Sequence, residues 1–185
     1  LAAAHIYFTR EKPGASSISF GSRSGMLTIR KDGDCLTMNF PADEISRVDL
    51  TAEIRACFEV TPREVYRGKT DYMIVFDSEE QIATIRFDLN AIAKLSARGV
   101  IVTAKGNECD FVSRFFAPQV GVSEDPVTGS AHTTLASYWS AKLNKNELTA
   151  MQLSPRRGTL VCRNLGGRTE ISGKAKTYLV GEIEV

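Results

Sequence analysis

The sequence predicts an α+β fold of mostly antiparallel sheet. Short runs of alternating apolar and polar residues, bounded by Gly, Pro and Asp, recur along the 185-residue chain. Helical patterns are few and separate. No internal repeat of fixed short period divides the chain.

The elements follow in order. Residues 1–8 have high helix propensity and read as the tail of a helix, stopped before Pro13-Gly14. Leu27 and Ile29 alternate with Thr28 and Arg30, and Leu36, Met38 and Phe40 alternate with Thr37 and Asn39. Lys31-Asp32-Gly33-Asp34 lies between these runs, and Asp-Gly is a strong hairpin signal. Phe40-Pro41-Ala42-Asp43 breaks the alternation and is read as a crossing between two lobes. Residues 51–60 read as a short helix with Thr51 as N-cap and Ile54, Cys57 and Phe58 on one face. A strand pair is expected at 64–67 and 71–77, around Gly68-Lys69. Residues 82–87 fit helix or strand. Residues 90–98 read as a helix with Ile92 and Leu95 inward and Gly99 just past its end. Strands are expected at 100–103 and 111–117. The clearest helix is 131–143, where Leu135, Trp139 and Leu143 recur every four residues. Strands at 159–163, 169–172 and 178–185 follow.

Composition is that of an ordinary globular protein, 43% hydrophobic and 24% charged. With a net charge of +1 and scattered Lys and Arg, nothing argues for a nucleic-acid or membrane-surface partner. No apolar run reaches membrane-spanning length, and no secretory leader is visible. Cys35, Cys57, Cys109 and Cys162 are far apart and make no C-x-x-C pair, which argues against a metal framework. They read as reduced, partly buried thiols of a cytosolic protein.

One segment carries chemistry: Glu124-Asp125-Pro126-Val127-Thr128-Gly129-Ser130-Ala131-His132. It is a polar loop running into the best helix. Pro126 pushes Asp125 toward extended backbone, which holds its carboxylate away from the helix. Thr128-Gly129-Ser130 opens that helix, whose first N–H groups lack internal partners and carry the positive end of the dipole. Gly129 has no Cβ, so a ligand can approach the backbone. The result is an anion site suited to a carboxylate or an enolate oxygen, with an acid–base group beside it. The same residues also admit an ordinary reading, because Thr, Ser and Asp before a helix are common caps and Gly is a common turn residue.

Ser113-Arg114-Phe115-Phe116-Ala117-Pro118, followed by Gly121-Val122-Ser123 and the loop through His132, resembles the central signature of PhzF-like proteins. These are the phenazine-biosynthesis family, related to diaminopimelate epimerase. Weaker matches flank it: Leu1 to His5, Arg23-Ser24-Gly25-Met26-Leu27, Gln152-Leu153-Ser154 with Arg157-Gly158, and Ile171-Ser172-Gly173-Lys174-Ala175. The resemblance implies a diaminopimelate epimerase-like fold, two lobes each wrapping sheet around a central helix, with the substrate between them. Residues 1–42 would be the remainder of the first lobe, rejoined by 178–185, and residues 43–177 the second lobe. It implies an isomerase that moves a proton on a small carboxylic acid without cofactor or metal, acting as a homodimer in the cytoplasm. Asp125 and Ser130 match the family's active-site Asp and Ser. Thr128, Gly129 and Ala131 would contribute to substrate binding, Gly129 and Ala131 through their N–H groups.

In the related epimerases a cysteine occupies the comparable loop; Thr128 stands there, which disfavours cysteine-pair chemistry. The family's proton-shuttling Glu and its assisting His would precede Leu1, so the chain is expected to lack the start of the first lobe. His5 follows the family's His motif and reads as a structural or surface residue, and His132 reads equally as a tuning or a packing residue. A non-catalytic binding protein that keeps the fold and the anion pocket is the competing reading.

Overall fold

The structure is a computed structural model that describes residues 1–22 and 25–182, so Arg23 and Ser24, quoted above, lie outside it. The strands are β1 (Ser17–Ser22), β2 (Gly25–Asp32), β3 (Cys35–Pro41), β4 (Ser46–Val48), β5 (Glu64–Arg67) and β6 (Asp71–Val75). They continue as β7 (Gly99–Lys105), β8 (Phe111–Phe116), β9 (Glu147–Gln152), β10 (Gly158–Asn164) and β11 (Arg168–Lys174). Among the described residues these form one sheet in the order β1-β2-β3-β11-β10-β9-β8-β7-β6-β5-β4. The β6–β7 and β8–β9 pairs are parallel and the other neighbours antiparallel. The fold is α+β, as the alternation predicts.

The expected hairpin forms, one residue later than the Asp-Gly signal suggests. Asp32 pairs with Cys35, so the loop is Gly33-Asp34, and Gly33 takes the positive φ of 57° that a two-residue turn needs. Helix α1 (Ala2–Ile6) continues as a π-helical turn, Tyr7–Glu11. Its Ala4 and Phe8 pack on Ile29 and Leu36 of the hairpin. Strand β3 then pairs along its whole length with β11, which joins residues 1–42 to the remaining sheet.

Three short helices cover one face. Helix α2 (Ala52–Ala56) is capped by Thr51, which accepts from the Ile54 N–H at 3.3 Å, as read from the sequence. Ser78 caps α3 (Glu79–Thr84), which resolves the ambiguous stretch as helix up to Thr84. Asp88 caps α4 (Leu89–Lys94). This last helix is shorter than expected because Leu95 turns extended. Gly99 is therefore not its cap but the first residue of β7. A Cβ there would lie 2.6 Å from the Phe115 ring and 2.8 Å from the Phe116 carbonyl oxygen.

The other face curls around α5 (Gly129–Leu143). Strands β6 to β11 supply Met73, Ile101, Phe111, Phe115, Leu148, Leu160, Cys162 and Ile171 to its surroundings, and Met38 and Phe40 of β3 join them. The helix is buried far beyond the stripe of Leu135 and Trp139, including His132, Thr133, Thr134 and Ser140. The hydroxyls of Thr133, Thr134 and Ser137 are hydrogen-bonded, which makes most of this burial tolerable, while that of Ser140 has no partner among the described residues. Thr133 donates to the Ser130 carbonyl at 2.7 Å, Ser137 to the Asp43 carbonyl at 3.0 Å, and Thr134 to the Asp43 carboxylate at 2.8 Å. Trp139 donates its indole N–H to Thr103 at 3.0 Å, fixing the helix to the centre of β7.

The strand expected at 178–185 does not form over residues 178–182, which take no regular secondary structure; residues 183–185 lie outside the described set. Tyr178, Leu179 and Val180 are exposed there, with no strand of the sheet beside them to supply ladder hydrogen bonds. Among the described residues no helix is long and apolar enough to cross a membrane.

Gly99→Ala should overpack the β7–β8 contact by about 1–3 kcal/mol, lowering the thermal midpoint by roughly 3–10 °C. Calorimetry of the variant checks this; an unchanged midpoint would show that the Phe115 ring yields freely.

Candidate active site

The loop from Glu124 to Thr128 is tied down at every step. Arg114, on β8, grips Glu124 with two charge-assisted hydrogen bonds of 2.7 and 2.9 Å. Its guanidinium lies near the Phe87 and Phe116 rings. The Asp125 N–H then donates to the Phe115 carbonyl at 3.0 Å. These contacts join the two halves of the sequence signature in space. Ser154 donates to the Pro126 carbonyl at 2.7 Å. Val127 lies against Gly158, where a Cβ would come within 2.3 Å of a valine methyl.

Gln152 is the central clamp. Its side chain is fully buried, accepts from the Thr128 N–H at 2.8 Å and donates to the Asp125 carbonyl at 2.6 Å. Two loop backbone groups that would otherwise be stranded are satisfied by one amide.

Asp125 is half-buried, and its carboxylate accepts from the Thr128 hydroxyl at 2.5 Å. Thr128 is the N-cap residue of α5 by position, yet its side chain caps nothing. The ordinary-cap reading of this Thr is therefore overturned: its hydroxyl faces the carboxylate instead of the helix N–H groups. Its remaining polar groups are also engaged. The N–H is on Gln152, and the carbonyl accepts from the His132 ring at 2.7 Å.

The predicted residues gather at the start of α5, which begins two residues earlier than expected, at Gly129. A Cβ on Gly129 would meet just the Met38 methyl, at 3.8 Å, so the chain's own packing does not demand glycine here. Ser130 is exposed, and its Oγ accepts from Arg98 Nη2 at 3.0 Å. Ala131 is 1% exposed, covered by the chain itself. The open groups are therefore those of Gly129 and Ser130, with Asp125 beside them.

His132 is fully buried. Its Nδ1 faces a carbonyl, an acceptor, so the neutral ring carries its proton there; Nε2 has no partner. Burial pushes its pKa down to about 4, against the opposing bond to the Thr128 carbonyl. The ring sits near Phe111 as part of the core. Of its two readings, packing is the one this geometry favours.

The loop does not line the cavity of about 390 Å³ that lies on β2, β3 and β11 among Met26, Thr28, Arg30, Thr37, Asn39 and Arg168. The candidate site lies instead at the start of α5, where Ser130 is exposed.

The family model described as phenazine biosynthesis-like protein matches residues 1–181. The chain belongs to this family. A relative from Pseudomonas aeruginosa, described as an uncharacterized isomerase, is 45% identical over all of this chain and 71% of its own length. The crystal structure of a PhzF-family protein from Enterococcus faecalis superposes with a TM-score of 0.95 at 38% identity, again over 100% of this chain and 71% of that one. A hydroxyproline epimerase from Agrobacterium vitis, solved with trans-4-hydroxy-L-proline, gives a TM-score of 0.59 at 9% identity, over 96% of this chain and 62% of that one, and shares the fold alone. The diaminopimelate epimerase-like fold expected for a PhzF-family chain is thus present.

Cysteine chemistry has little support in this family member. Burial pushes the Cys57 thiol up to about 11, with Asp88 adding to the rise, and the Cys162 thiol up to about 12. Neither supplies a thiolate near neutral pH. Gln152, Arg98 and Asp71 were not found by sequence reasoning. Gln152 had one available signal: it continues the inward positions of Leu148 and Ala150 on β9, where a polar residue needs a buried partner.

A pH prediction follows from His132. Its folded pKa lies below the ordinary 6.5, so the unfolded chain binds its proton more readily. The contribution of the neutral ring is complete above pH ~6.5 and is lost as pH falls toward about 4. Denaturant titrations across this window should show a steeper loss of stability in the natural protein than in His132→Asn. Parallel curves would mean that the ring is protonated without unfolding.

Proposed function

We propose that this chain carries the acid-binding part of an isomerase active site that moves a proton on a small carboxylic acid without a cofactor. The observation behind this reading is the uncapped start of α5, with the Asp125 carboxylate held beside it by Thr128. In the proposal the N–H of Gly129 and the hydroxyl of Ser130 bind a carboxylate or enolate oxygen, where a helix N-terminus favours negative charge. Ala131 adds its N–H once the surrounding chain gives way. Thr128 acts by positioning: its hydroxyl fixes which Asp125 oxygen faces the ligand. Asp125 exchanges a proton with the carbon next to the carboxyl group, and the partner acid–base group is the glutamate that the resemblance places before Leu1. The relatives' description as isomerases supports the reaction class.

Met38 of β3 is the nearest atom to the open side of Gly129. This supports a substrate position between residues 43–177 and the lobe to which 1–42 belong. The homodimer and the cytoplasmic setting implied by the resemblance belong to the same proposal.

One observation favours the non-catalytic alternative. His132 is sealed in the core and the Glu124 carboxylate is held by Arg114, so the loop leaves Asp125 without a second proton carrier beside it. Incorporation of solvent deuterium into a panel of small carboxylic acids separates the readings. In the natural full-length protein, exchange should occur next to the carboxyl group and fall by at least about 100-fold in Asp125→Asn. Absence of Asp125-dependent exchange across the panel would leave the binding protein as the better reading.

A further inference from the structure

We infer that Arg98 is the positioning residue that fixes the Ser130 hydroxyl as a hydrogen-bond donor to the bound acid. This rests on the reading of the α5 N-terminus as an acid site.

The parallel pairing of β6 and β7 sets Asp71 opposite Gly99, so Arg98 and Asp71 lie side by side where the two strands begin. The Arg98 N–H is fixed on the Thr70 carbonyl at 2.8 Å. Asp71, almost fully buried, takes Nε at 2.9 Å and an Nη2 proton in a bidentate grip. The guanidinium lies 5.4 Å from the Phe115 ring centroid. A planar fork held at one edge and covered on one face has few remaining orientations. In this one, Nη2 also reaches Ser130 Oγ at 3.0 Å.

The chemistry of that contact has one direction. A guanidinium donates and cannot accept. Oγ therefore accepts from Arg98, and the hydroxyl proton must lie along another tetrahedral direction. Ser130 is exposed, so that proton is available to a ligand. The ligand atom it meets must be an acceptor, such as a carboxylate or enolate oxygen. An ammonium group would find donors there and be rejected. Arg98 is also kept firmly cationic: Asp71 raises its pKa through the hydrogen bonds and its charge, against desolvation, with Asp43 and Asp125 adding attraction. The guanidinium thus lies within the field of the proposed acid–base carboxylate.

A simple structural bridge is the competing explanation, because Asp71 needs a cation wherever it is buried. A double-mutant cycle distinguishes the two. The probe is benzoate, titrated while the amide resonances of Gly129 and Ser130 are followed by NMR. The proteins are wild type, Ser130→Ala, Arg98→Lys and the double variant. Lysine keeps a cation for Asp71, but a single ammonium cannot keep the fork that reaches Ser130.

Ser130→Ala and Arg98→Lys should each weaken benzoate binding about tenfold, and the double variant should bind no worse than Ser130→Ala. Losses that multiply in the double variant would overturn the inference while leaving the acid site standing, as would wild-type affinity in Arg98→Lys. If the wild-type amides do not shift saturably, the acid-site reading fails and the inference falls with it. Should Arg98→Lys not fold, the paired change Asp71→Leu with Arg98→Met leaves no lone buried charge and carries the same expectation.

Discussion

Thr128 has one hydroxyl proton, and it gives that proton to Asp125. The character of the site follows from this choice. A threonine at an N-cap position ordinarily accepts from the first turn of its helix, worth about 1 kcal/mol. Here the hydroxyl turns the other way, so the α5 N-terminus has no side-chain cap and the carboxylate is held in a fixed orientation. Gln152 makes the arrangement possible by taking the Thr128 N–H and supporting the Asp125 carbonyl. The loop stays rigid without drawing on the donors at the helix start.

The sheet provides the setting. Helix α5 is buried among strands from β3 to β11 and is fixed by Trp139 on Thr103. Thr133, Thr134 and Ser137 do not mark an exposed face, because they bond to a nearby carbonyl and to Asp43. A helix held on nearly every side projects its N-terminus from a defined point. The signature residues of β8 act at that point: Arg114 holds Glu124 and the Phe115 carbonyl holds the Asp125 N–H. The long motif in the sequence is one hydrogen-bonded unit, which gives its spacing a mechanical reason.

Much of this was legible from the residues. The Asp-Gly hairpin, the Thr51 cap, the apolar strand β7 and the body of α5 each rest on local chemistry that one segment contains. The loop from Glu124 to His132 was recognisable because Pro, Gly and capping residues leave a local pattern. What escaped depends on partners outside each segment. β1 is a short run of Ser, Ile and Phe that gains its strand from β2, and β9 gains its strand from β8 and β10. Gly99 resembles a helix stop in sequence and proves to be a packing glycine under Phe115. Arg98 and Asp71 are 27 residues apart and meet through a parallel strand pair that no local pattern announces. The burial of Thr133 and Thr134 on α5 was hidden for a similar reason, since their hydroxyls look solvent-facing until their acceptors are known.

The central claim is that the helix start is open because Thr128 serves Asp125. The most direct measurement is a high-resolution crystal structure of the protein soaked with a small carboxylic acid. The account predicts a carboxylate oxygen on the Gly129 N–H and the Ser130 hydroxyl, with the Thr128 hydroxyl still on Asp125. A structure in which Thr128 turns to cap the helix, and the acid binds elsewhere or not at all, would contradict it.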